Sequence, residues 1–228
     1  GEMDCRLQGA WGMDSQTSLL RPDVLDWLLE DDDPSVRYLT LRDLLGKNES
    51  DEEVREARWR IMDVGLVPKI LAKQEPGGHW GDPEHFYQNS KYKGTVWNLI
   101  LLAELCADPA DERIRNACEF VMNWSQHRPS GGFSHRGSEA NGGHRTAFSC
   151  LTGNMLFALV RLGLKDDARV ARGFEWISRY QRFDLGPYDN KEWPYQYDLC
   201  WRKHTCRSGA VKVLKALAEV PEEQRTPG

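Results

Sequence analysis

The chain has 228 residues, 40% of them hydrophobic and 29% charged, enough apolar material to bury a core and too much for a disordered polymer. A formal net charge of -5 argues against a broad nucleic-acid footprint, and apolar runs such as VWNLILLAEL are too short to span a bilayer. The first residues, GEMDCRLQGAWG, lack the basic and apolar regions of an export signal, so a cytoplasmic location is expected, where the six cysteines stay reduced.

Residues 1–21 read as an irregular segment, and residues 22–228 as one helical domain. Val24, Leu25, Trp27, Leu28 and Leu29 give the first helix an apolar face. Glu30, Asp31, Asp32 and Asp33 form an acidic turn, with Asp33 suited to cap a second helix that opens at Pro34 and ends at Gly46. A third helix is expected from Asp51 to Asp63, its acidic start matching the helix dipole.

A pattern then recurs. VWNLILLAELC, DERIRNACEFVMNWSQH and the turn PSGGF are followed by LTGNMLFALVRLGL, DDARVARGFEWISRYQRF and the turn DLGPY, and SGAVKVLKALAEV begins a further copy. Setting Leu102 and Ala103 against Leu159 and Val160, and Trp124 against Trp176, gives a period of roughly fifty residues. Such pairs of helices cannot bury their apolar faces alone, so the expected fold is all-α, a stacked array of helical hairpins.

Ligand-type side chains concentrate in YDLCWRKHTC, before the last helix. Cys150, Cys200 and Cys206 with His204 make a tetrahedral zinc set of three sulfurs and one nitrogen, and His144 is an alternative fourth ligand. Four protein ligands would make a closed structural site, whereas three thiolates would leave a coordination position open for chemistry. Reduced, unligated thiols are the competing reading. Cys106 and Cys118 lie among apolar neighbours and read as small core residues. Lys93 and Arg145, in loops that join helix ends, are candidates for binding an anionic group such as a diphosphate. Trp193, Tyr197 and Trp201 either line an apolar cavity or fill space between hairpins.

The turns carry a family resemblance. KILAKQEPGGHWG places Gln74, two glycines and Trp80 after a helix; MNWSQHRPSGGF repeats this with Gln126, Gly131, Gly132 and Phe133, and ISRYQRFDLGPY with Gln181, Gly186 and Tyr188. This resembles the Gln–Trp turn repeat of the α/α toroid superfamily, which includes squalene and hopene cyclases and the β-subunits of protein prenyltransferases. The resemblance implies a toroid, complete or an incomplete ring, in which the aromatic packs on the next hairpin and the Gln side chain bonds to a helix end. It further implies Asp198, Cys200 and His204 as analogues of a prenyltransferase zinc site. The acidic run at Glu30 departs from the terpene-cyclase acid motif at its first position. The expected function is a zinc-binding prenyltransferase- or terpenoid-cyclase-like protein, a metal-dependent transferase or cyclase acting on an isoprenoid or other apolar small molecule in a central cavity. The alternative is a non-catalytic repeat scaffold with a structural zinc that binds a protein or peptide.

Overall fold

A computed structural model of the chain describes residues 21–87, 93–181 and 206–225. They are predominantly helical, and the chain divides into two compact units, one running to Ala72 with Leu105–Ala107 added, the other comprising Lys73–Glu104 and the chain from Asp108 onward. Among the described residues no helix is long and apolar enough to cross a membrane.

In the first unit, α1 (Pro22–Leu28) and α2 (Pro34–Leu39) both open on proline, whose missing N–H is no loss in a first turn. The Asp33 carboxylate caps α2 by accepting from the Val36 amide at 3.3 Å. Asp31 stands 3.4 Å from both Arg37 and Arg60, so two of the four acidic residues of the turn, Asp31 and Asp33, serve in ion pairing and capping. The chain leaves α2 through a π turn, Thr40–Leu44, then forms α3 (Glu52–Arg60) and α4 (Leu66–Leu71). Tyr38, Leu41, Val54, Ala57 and Ile61 are buried in this unit, with α2 packed on α3. Arg58 donates to the carbonyl of Cys106, a residue in the left-handed region at φ 57°.

The second unit holds α5 (Thr95–Glu104), α6 (Glu112–Trp124), α7 (Ser149–Leu159), α8 (Ala168–Tyr180) and α9 (Arg207–Ala218). Its centre is α7, which packs against α5, α8 and α9 and is buried along almost its whole length. That explains a sequence that is apolar all round rather than on one stripe. Gly153 lets α9 come close: a β-carbon there would lie 2.7 Å from the Lys212 carbonyl carbon. By contrast α6 and α8 bury one face each, through Ile114, Ala117, Cys118 and Val121 in one and Val170, Gly173, Trp176 and Ile177 in the other.

The same polar contacts recur in the two turns, with one residue more between glutamine and glycine in the second. Gln74 Nε2 donates to the Gly78 carbonyl at 3.3 Å and to the Arg113 carbonyl, in the first turn of α6, at 2.9 Å. Gln126 Nε2 donates to Gly131 at 2.9 Å and to Arg169, in the first turn of α8, at 2.7 Å. Gly78 (φ 82°) and Gly131 (φ 87°) press on the same two helices, where a β-carbon would meet the Asn116 oxygen at 2.5 Å and the Arg172 oxygen at 2.4 Å. The amides of Trp80 and Phe133 donate to Thr95 and Thr152 at 3.1 and 2.9 Å. Asp111 and Asp167 cap α6 and α8 through the Arg113 and Arg169 amides.

These caps set the register of the outer helices. Phe120 aligns with Trp176 and Trp124 with Tyr180, and each pair touches within its own helix, at ring separations of 5.1 and 5.5 Å. The expected match of Trp124 to Trp176 is therefore one turn out, because like residues were aligned without the caps. Leu102 does match Leu159, and both are buried.

Candidate functional site

The entries of α7 and α9 meet. A β-carbon on Gly209 would lie 3.0 Å from the Cβ of Ser149 and 3.6 Å from that of Cys206. Cys206 caps α9, its sulfur accepting from the Gly209 amide at 3.4 Å, and Cys150 is the second residue of α7. Burial pushes the Cys150 thiol above its ordinary range; the Lys212 ammonium opposes that shift, and the neighbouring Cys206 adds to it. The two sulfur residues thus share one electrostatic neighbourhood. Aligning the buried faces of the inner helices, Leu156 with Val213 and Leu159 with Ala216, sets Cys206 opposite Ser149, so the two cysteines are offset by one position.

Cys150 and Cys206 supply two sulfur donors. Among the described residues no three His, Cys, Asp or Glu side chains gather in a metal-binding group. Cys200, His204 and the alternative ligand Asp198 lie outside the described residues, as do Trp193, Tyr197 and Trp201. His144 is exposed and follows β2; it stands near enough to His135 to join burial and Arg136 in holding that imidazole below its usual range. No protein-family model matches the chain, and no curated protein matches it in sequence.

Lys93 and Arg145 are both exposed, one just before α5 and the other just before α7. The Lys93 backbone carbonyl accepts from Asn98 Nδ2 at 2.9 Å, which fixes the chain entering α5 while leaving the ammonium in solvent. These two helix entries are joined by aromatic rings that the sequence reading did not single out. Tyr87 stacks on Trp97 of α5 at 5.8 Å and meets Phe148, the residue capping α7, at 6.0 Å. His135 also packs on Phe148, at 5.6 Å. The signal available in sequence was position: Tyr87 and Trp97 bracket Lys93, and Phe148 is separated from Cys150 only by Ser149.

The loop that delivers Arg145 and Phe148 is organised by a short hairpin, β1 (Gly137–Ser138) paired antiparallel with β2 (Gly142–Gly143). Arg128 closes it, donating to the Ala140 and Glu139 carbonyls at 2.8 and 2.7 Å. Gly143 lies against the backbone of Ser125, where a β-carbon would sit 2.0 Å from the carbonyl oxygen. Trp80 and Phe133 are buried, which fits a packing role for the turn aromatics; Tyr188 lies outside the described residues. Cys118 is fully buried, and burial pushes its thiol up to about 12.

Proposed function

We propose that the chain is a helical-repeat protein of the α/α toroid type that binds zinc at the entries of α7 and α9 and acts, like a prenyltransferase or terpenoid cyclase, on an isoprenoid or other apolar substrate. The observation that carries this reading is the close approach of the two helix entries that carry Cys150 and Cys206, through Ser149 and Gly209. Three further features support it: the repeated glutamine bridges, the packing of α5, α7 and α9 in sequence, and the aromatic group at the same end of α7.

Cys150, Cys200 and Cys206 would hold the metal and His204 would complete or gate the site; with His204 turned away, the three thiolates would leave an open position at which zinc would supply Lewis acidity toward a thiol or water. Lys93 and Arg145 would neutralise an anionic head group, and the ring faces of Tyr87 and Trp97 would hold an apolar chain or a developing cation. Incubation of the zinc-loaded protein with an isoprenoid diphosphate tests this. Release of diphosphate that depends on Cys150 and on Arg145 is expected, and a zinc-replete protein that releases none would refute the catalytic reading.

A second reading, a scaffold stapled by structural zinc, draws on the cap that Cys206 provides to α9, since the sulfur already has a structural task at that helix entry. Cobalt substitution separates the two. A tetrahedral visible spectrum unmoved by added thiol or azide indicates a closed staple, and a spectrum that shifts on adding them indicates an open coordination position.

A further inference from the structure

Of the 11 residues of α7, 9 are buried, and the two that are not are Cys150 and Asn154. Four positions apart, they lie on one side of the helix, with β-carbons about 6 Å from each other. Helical side chains lean toward the N-terminus, so Asn154 covers the turn that carries Cys150. The other polar side chains of α7 are committed: Thr152 accepts from the Phe133 amide at 2.9 Å, and Ser149 is buried against Gly209. Among the described residues the Asn154 carboxamide has no hydrogen-bond partner, although it carries both a donor group and an acceptor oxygen.

The register that pairs Leu156 with Val213 and Leu102 with Leu159 sets Trp97 of α5 and Val211 of α9 at the level of Asn154, so the amide is the polar member of an otherwise apolar row. In the same register Arg207, which is exposed, stands opposite Cys150, and the Lys212 ammonium is close enough to act on the Cys150 thiol. Neither α7 nor α9 contains an acidic residue. The surroundings of Cys150 are therefore cationic and apolar. They suit an electron-rich acceptor atom attached to an apolar body.

We propose that Asn154 binds the ligand that enters the open position of the metal site, its Nδ2 donating to an oxyanion or thiolate whose apolar body lies along Trp97 and Val211. This rests on the open zinc site proposed above. Asn154 acts on the incoming ligand and not on the metal, since it makes no hydrogen bond to Cys150. It selects, among ligands that zinc accepts, those with an acceptor atom on an apolar carrier.

The test uses the cobalt-loaded full chain, titrated with azide and followed by its visible spectrum. The unaltered protein should respond saturably. Asn154→Leu, similar in size but without a donor, should weaken azide about tenfold, the loss of one hydrogen bond to a charged acceptor. Asn154→Gln should restore part of that affinity, and cobalt content and the thiolate-to-cobalt charge-transfer band should be the same in both variants as in the unaltered chain. Equal azide affinity with and without the amide would overturn the proposal while leaving the open site standing. Loss of cobalt or of the charge-transfer band in Asn154→Leu would overturn it as well, by assigning the residue to the metal or the fold. An unaltered cobalt protein whose spectrum ignores azide would refute the open site and this proposal together.

Discussion

Gln126 spans a turn and a helix start at once through two backbone carbonyls. Gln126→Ala removes both bonds, at a cost of about 1–2 kcal/mol. Gln74→Ala should cost less, because its bond to Arg113 is exposed and water can replace it. Urea midpoints of the two variants check the order. Gly131→Ala is expected to be worse than either, since the new methyl group collides with the Arg172 carbonyl and φ is 87°. His127 and His135 are both buried with imidazoles held below their ordinary range. The unfolded chain therefore binds more protons than the folded one once pH drops below about 6.5. Stability should be full above that value and fall as pH declines through it. The urea midpoint measured at pH 7.5 and at pH 5.5 should drop, and drop less in His135→Gln.

Among the elements, α7 carries the second unit. Its Gly153 admits the α9 backbone, so Gly153→Val should push α9 outward and cost about 1–3 kcal/mol. Far-UV circular dichroism should stay helical while the thermal midpoint falls. Helix identity was legible in sequence because the apolar spacing of α5, α6, α8 and α9 is regular and Asp33 is a cap, while the caps at Asp111 and Asp167 went unread. The π turn at Thr40–Leu44 was not legible, since it extends a helix through residues with ordinary helical preferences, whereas beyond α7 the chain breaks at Gly163, whose φ of 86° is a stop that a glycine signals. The hairpin of β1 and β2 escaped for the opposite reason. Its residues are glycine and serine with no apolar alternation, and close approach to the Ser125 backbone, not strand propensity, holds it.

For the molecule as a whole, the predominantly helical architecture followed from periodicity, while the site was only half legible. Cys150 and Cys206 lie far apart in sequence, and only the repeat suggested that their helix entries meet. The Phe148-centred aromatic group was missed because rings from three separate segments form it, and no local pattern links Tyr87, His135 and Phe148. The central claim is that the two cysteines hold zinc. The most direct measurement is the zinc content of purified, folded protein beside its Cys150→Ser and Cys206→Ser variants. About one zinc per chain is expected, lost or sharply reduced in both variants. A folded protein without stoichiometric zinc, or one that keeps it in both variants, would contradict the account.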